Sequence, residues 1–320
     1  MTAFHNIPIE DMPEVEYTPD TTVNLELALL DRVNVVLPQA NNIHPIMDEL
    51  FSDLKTVRNA LSRAEWLAFS SRCIAHPLKE LLHQDPFTSR AFAKPRSYPG
   101  DARLMNFIYQ NSSIQAEVNN STRLGQKLYE YTSAAPAARA VRCRRAVVSQ
   151  MIDQVAREMR SPHILSVACG HLEEANYGEA LKMGEVGRYV AFDQDGESLA
   201  MVNRTIGKLT PIEVKQGTVQ DLIFGKSELD KFDLVYSLGL FDYLPRTVAQ
   251  MLTVRMFALL NQSGYLLIAN FAHDIQDVGY MESFMDWKLI YRSAIDMAEL
   301  RNDVTDCAAN KHVFAEENQM

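Results

Sequence analysis

From Ser161-Pro162 onward, five apolar runs of strand length alternate with helical segments, and this pattern constrains the fold more tightly than any other feature of the chain. The runs are HILSVAC, RYVAFD, IEVKQG, FDLVYSL and GYLLIANF. The segments between them, LEEANYGEALKMG, GESLAMVNRTIGKL and RTVAQMLTVRMFALL, carry helical spacing. Runs rich in Val, Ile and Leu without polar alternation are buried on both faces, so the pattern predicts βαβ units and a mostly parallel sheet covered on both sides. In such sheets ligands sit beyond the carboxyl ends of the strands, where the strand order reverses. The residues that follow each strand are therefore the first candidates for a site.

Before residue 160 no strand-like alternation occurs, and the front half reads as all-helical. One helix is expected from Thr22 to Pro38. A longer one starts near Pro45 and carries Ile46, Leu50, Leu54, Val57, Leu61, Trp66 and Leu67 in one stripe to His76-Pro77. Short helices follow over 78–83 and 102–109, then a long one from Thr122 to Met159. Residues 1–22 mix Pro, Asp, Glu and Thr and read as a flexible tail. A chain of 320 residues has room for two bodies, and 47% hydrophobic against 22% charged residues excludes disorder as the main state.

Charge and cysteine usage narrow the classes of partner. The formal net charge is −10, which argues against nucleic acid and against insertion into or binding on an anionic membrane. The basic cluster Arg139, Arg142, Arg144 and Arg145 reads as a solvated helix face, with a grip on a phosphate as its functional counterpart. Cysteines 73, 143, 169 and 307 stand far apart, and no histidine falls at a metal-ligand spacing. A reduced, metal-free, cytoplasmic protein is expected, since no apolar run approaches the roughly 20 residues of a bilayer span and no basic-apolar leader is seen.

At the strand ends the residues change character. Ala168-Cys169-Gly170-His171 lets backbone approach a ligand and turn into a helix, but it is not the GxGxxG of a dinucleotide site. Asp193, 23 residues after Gly170, stands where nucleotide-binding folds place an acid for ribose hydroxyls, with Gln194 beside it. Thr218 and Val219 follow the third strand and suit one side of an adenine. Ser237, Leu238 and Gly239 close the fourth. Each has a plain structural reading alone, such as turn glycine, helix cap or loop residue. Their joint order over about 110 residues is the signal.

In that order the segments resemble the motifs of class I S-adenosylmethionine-dependent methyltransferases: ILSVACGHLEEA the first, RYVAFDQDGESL the second, VKQGTVQDL the third, FDLVYSLGLFDYL the fourth and LLNQSGYLLIANF the fifth. The resemblance implies a Rossmann-like seven-stranded α/β sheet with a reversed final hairpin, its last strand near His312 to Glu317. It also implies S-adenosyl-L-methionine as cofactor and S-adenosyl-L-homocysteine as product. Residues 160–320 would hold the cofactor, and the helical domain 23–159 would cover the site. Two departures stand out: Ser166 replaces the acid before the turn, and His171 and Glu173 stand where further glycines are usual. Glu174 is then the candidate for the methionine end. Outside these motifs, RAFAKPRSYPGD, NFAH and DWKLIYR resemble a bacterial methyltransferase group labelled biosynthesis proteins for an extracellular factor, 3-hydroxypalmitic acid methyl ester.

The resemblance implies methyl transfer to a small-molecule acceptor, with an oxygen acceptor, carboxylate or hydroxyl, favoured. The alternatives are nitrogen or carbon methylation and a non-catalytic regulatory protein that binds the same cofactor. His273, two residues past the fifth strand, reads as a base or as a structural histidine. Tyr98 and Asp101 read as groups closing over the acceptor, or as a turn with Asp101 capping the helix at Ala102. Trp287 and Tyr291 are four apart, on one face of an expected helix. With Tyr243, Phe271, Tyr280 and Arg292 they are the candidate acceptor pocket; the aromatics read equally as core, and Arg292 as a surface ion pair. Homo-oligomer formation stays open.

Overall fold

The computed structural model describes residues 19–206, 212–300, 310 and 312–315, so most of the expected tail lies outside the described residues. Among the described residues five strands form one sheet: β1 His163–Val167, β2 Arg188–Asp193, β3 Ile212–Gln216, β4 Phe232–Ser237 and β5 Leu260–Ile268. Their order is β3-β2-β1-β4-β5 and every pairing is parallel. Strand order reverses between β1 and β4, which puts the switch point at the ends of those two strands. All five apolar runs are strands, as their composition predicts. The seven strands implied by the resemblance are not seen: His312 to Ala315 are exposed and not in a strand, and the rest of that expected strand lies outside the described residues.

The two faces of the sheet feed separate cores, because successive side chains of a strand point to opposite sides. Ile164, Tyr189, Ala191, Leu234 and Tyr236 face one side and pack against Val148, Ile152 and Val155. Leu165, Val167, Val190, Phe192 and Val235 face the other and pack against Leu252 and Met256. A third core joins residues from Leu30 to Val141 with Phe271, Tyr280, Phe284 and Trp287. The helix Pro136–Glu158 serves two cores, its first turns in the front body and its last against the sheet.

Three expected helices are cut differently. The long run after Pro45 is two helices, His44–Ala60 and Arg63–Ala75. Ser62 and Glu65 form a reciprocal capping box at the break, and this satisfies amides that a continuous helix would have bonded internally. The run from Thr122 breaks into Arg123–Ala134 and Pro136–Glu158, because a proline disfavours the helical conformation of the residue before it. Trp287 and Tyr291 are not on a helix: helix Val278–Ser283 ends before them, and their segment is irregular, with Asp286 in the left-handed region at φ 44°. No helix of the described residues is long and apolar enough to cross a membrane.

Candidate cofactor and acceptor site

A cavity of about 380 Å³ opens at the carboxyl ends of the strands, at the switch point. Its floor is the turn after β1. Ala168, Gly170 and Leu172 all take left-handed backbone, at φ 56°, 53° and 54°. The glycine-like positions are thus 168, 170 and 172, and not His171 and Glu173 as the sequence comparison implied. Ala and Leu hold at two of them a conformation that costs an L-residue about 1–2 kcal/mol. The turn is held in place by Asp193 at the end of β2. Its Oδ2 accepts the Gly170 amide at 2.8 Å and its Oδ1 the Asp195 amide at 2.9 Å. Burial raises the Asp193 carboxyl above its ordinary range, while the two amides pull the other way. Each oxygen keeps a second lone pair for a ligand hydroxyl.

Of the residues expected on the cofactor side, Ala168, Cys169, Gly170, Glu174, Asp193, Gln194, Val219, Leu238 and Gly239 line this cavity. Thr218 and Ser237 do not. The Thr218 side chain is spent capping helix Val219–Ile223, in a box with Asp221. Ser237 is fully buried, and its hydroxyl has no hydrogen-bond partner among the described residues. Burial holds the Cys169 thiol well above its ordinary value, which disfavours the thiolate. Glu174 is buried and accepts the Tyr236 hydroxyl at 2.6 Å. It makes no ion pair among the described residues, and burial raises its carboxyl.

The opposite wall comes from the front helices and the segment after β5. Tyr98, Tyr243, Phe271 and Trp287 line the cavity as expected. Gly100, at φ 69°, lets the turn carrying Tyr98 pass against Tyr243, where a Cβ would lie 2.1 Å from the Tyr243 hydroxyl. That hydroxyl accepts the Trp287 indole N–H at 2.8 Å. The Tyr98 phenol is pushed up to about 12 by burial and by the carboxylates of Asp193, Asp195 and Asp101, so it acts at neutral pH as a donor and not a base.

Five expected acceptor or catalytic residues lie elsewhere. His273 is solvent-exposed, and its Nε2 lies 3.5 Å from Asp296, outside the cavity. Asp101 is buried, caps helix Ala102–Ile108 through the Leu104 amide at 2.7 Å and pairs with Arg90 at 2.6 Å. Arg292 is also buried, donating to the carbonyls of Phe241 at 2.6 Å and Leu244 at 2.5 Å and to Asn270. It is a structural clamp between two loops and not the surface ion pair or carboxylate grip of its sequence readings. Tyr280 lies deeper in the front core, its hydroxyl 3.0 Å from that of Thr88. Tyr291 is partly buried against the same core, with the Arg58 guanidinium 5.9 Å from its ring centre.

The structure adds Met105, Tyr109, Tyr236 and Leu289, which the sequence did not single out, and brings Asp242 and the already noted Arg144, Ser166 and His171 into the same lining. The arginine run is not a solvated face. Arg139 is exposed, but Arg142 donates to the carbonyls of Ile108 and Ser133 at 2.8 and 2.7 Å. Arg144 donates to Leu238 O at 2.6 Å and lies 4.2 Å from the Phe271 ring centre. Arg145 is sandwiched between Tyr109 and Tyr177, at 4.3 and 3.8 Å. The signal available was the run Ala137, Ala138, Ala140, whose small side chains mark close packing of that helix. His171 is lowered to about 4, first by burial and then by the Arg96 charge, so it is neutral. Its Nδ1–H donates to Asn106 at 3.0 Å, with the tautomer assigned from that network, and Nε2 is left as an acceptor.

Comparison with known proteins is consistent with this architecture. No protein-family model matches the chain, and no curated protein does. Among solved structures, a possible exported protein from Bordetella parapertussis superposes with a TM-score of 0.51 at 15% identity, over 78% of this chain and 94% of that one. It shares the fold. Looser matches include a coclaurine N-methyltransferase bound to N-methylheliamine and S-adenosylhomocysteine, at TM-score 0.47 and 13% identity over 88% of this chain and 76% of that one. Another is the plantazolicin methyltransferase BamL, at 0.40 and 10% over 71% and 74%. Both fall below the likeness at which a shared fold can be argued.

Proposed function

We propose that the protein is an S-adenosylmethionine-dependent methyltransferase acting on a small molecule, with an oxygen acceptor. The observation that carries this reading is the floor of the cavity: a left-handed turn after β1, bonded through the Gly170 amide to a buried carboxylate at the end of β2. The donor set fits the cofactor. Asp193 keeps lone pairs for ribose hydroxyls, and Phe192, Val219 and Leu238 offer apolar walls to an adenine. Glu174, a buried carboxylate with no ion pair among the described residues, suits an ammonium. When bound, this cofactor supplies an electrophilic methyl group on sulfur. The chain's own part is to place the acceptor in line and keep water out.

Residues 23–159, with the segment after β5, serve as the cover that selects the acceptor. A carboxylate acceptor is already ionised at neutral pH and needs no base. A hydroxyl needs one, and His171 is the neutral imidazole in the cavity wall, whereas His273 is out of reach. The spaced cysteines and acidic balance favour a cytoplasmic enzyme.

Calorimetry with S-adenosylhomocysteine tests the reading: saturable binding and a concentration-dependent rise in Tm are expected. Asp193→Ala removes a ribose acceptor and the anchor of the turn together, and should weaken binding about 30- to 150-fold. No binding to the wild-type chain at millimolar ligand would exclude the cofactor.

A further inference from the structure

Behind the wall made by Val141, Phe271 and Trp287 lies a second cavity of about 20 Å³, and these three residues line both spaces. Its lining is aliphatic and aromatic except for Thr132 and Asp277. The Thr132 hydroxyl is engaged, donating to Asp85 at 2.8 Å. Asp277 is only half engaged. Its Oδ2 accepts the Ala137 amide at 2.8 Å, at the start of helix Pro136–Glu158. Its Oδ1 accepts no hydrogen bond among the described residues, although Asp277 is 3% exposed. Asp277 precedes helix Val278–Ser283 yet does not cap it with its side chain. Asp277 instead caps the neighbouring helix Pro136–Glu158, with one oxygen alone, and the other is a buried acceptor left unmet. A space of this size admits one non-hydrogen group, since a water-sized probe needs about 10–15 Å³.

We propose that this cavity is the distal subsite for the methyl acceptor, where Asp277 Oδ1 receives a hydrogen bond from an ammonium or hydroxyl at the acceptor's far end. The inference rests on the methyltransferase reading of the larger cavity. The acceptor is then an elongated molecule: its reacting end lies over the strand ends, its apolar middle displaces the shared side chains of Phe271 and Trp287, and a donor ends it. Asp277 acts as a specificity residue, not a catalytic one, because it is separated from the strand ends by the wall of Val141, Phe271 and Trp287. The positive charges of Arg139 and Lys55 and the Ala137 amide act on the carboxyl against the burial that raises it.

The probes are n-alkylamines, n-alkanols and methyl n-alkyl ethers of four to eight carbons, titrated by calorimetry into the full chain saturated with S-adenosylhomocysteine. An amine or alkanol of one length should bind about tenfold tighter than the ether of that length, and amine against alkanol tells which donor is read. Asp277→Asn, which keeps the shape, should erase the amine's advantage without altering S-adenosylhomocysteine affinity. Ala138→Val, which fills the small cavity and leaves Asp277 intact, should erase the advantage of both donors. Equal or tighter ether binding, a preference that survives both substitutions, or no probe binding to the loaded wild type would overturn the proposal. Failure of S-adenosylhomocysteine itself to bind would instead remove the underlying methyltransferase reading.

Discussion

The floor and the cover of the cavity are built on opposite principles. The floor is local: three strand ends and the turns that follow them place Gly170, Asp193 and Leu238, and the backbone bonds of one parallel sheet set their distances. The cover is non-local. Tyr98, Tyr109, Arg144, Tyr243, Phe271 and Trp287 come from segments up to about 190 residues apart, and buried polar contacts hold them together. Asp242 accepts the Phe271 amide at 2.7 Å, its carbonyl accepts the Ile290 amide at 2.7 Å, and Arg292 clamps three oxygens of the same two loops. The difference teaches that strand ends can be read from sequence, while the opposite wall depends on which loops happen to be stitched together.

The sharpest way to break this comparison is Arg292→Ala. If the residue is a clamp, its loss strands two buried carbonyls and should cost about 3–5 kcal/mol of stability, seen in denaturant unfolding. Unchanged stability with a raised KM for the acceptor would return it to the substrate pocket.

Next in size is the pH response of Asp277. Burial raises its carboxyl to about 6, while the unfolded chain titrates near the ordinary value of about 4. The folded state therefore holds the proton more tightly. Stability from this group is full below about pH 4 and is lost as pH rises through about 6. Asp277→Asn should gain on the wild type across that window by up to about 3 kcal/mol, read as a growing difference in Tm. Asp85, raised to about 6 by the same cause, contributes the same slope to both proteins and cancels in the difference.

On the floor the expected effect is smaller and, as for Asp277→Asn, stabilising. Ala168→Gly relieves a left-handed alanine on an exposed turn and should stabilise by about 0.5–1 kcal/mol, with the cofactor site intact. A loss of stability would mean that the turn is not at its native backbone angles. Smallest of all is His273→Ala: an exposed side chain with one long contact to Asp296 should move stability by less than about 0.5 kcal/mol and leave turnover unchanged. A large loss of turnover would bring His273 back as the base.

Legibility follows the same division. Buried strands announce themselves as apolar runs, and all five were readable because a parallel sheet leaves them no polar face. Asp193 was readable because its place is a fixed distance along a βαβ unit. His273 was misplaced by that same logic, since two residues past a strand end a loop can turn either way, and here it turns to solvent. Arg145 was misread because charge density alone suggests water, while the rings of Tyr109 and Tyr177 that enclose it lie 36 and 32 residues away.

What the sequence determined by itself is the parallel sheet, the turn after β1 and the acid at the end of β2, because each depends on period, spacing or backbone conformation within a short stretch. What only the tertiary structure decided is the cover: that Arg292 clamps, that Arg144 faces the cavity, and that Asp277 keeps one oxygen unmet behind Phe271 and Trp287. Those outcomes depend on which distant groups desolvate one another, and no local pattern carries that information.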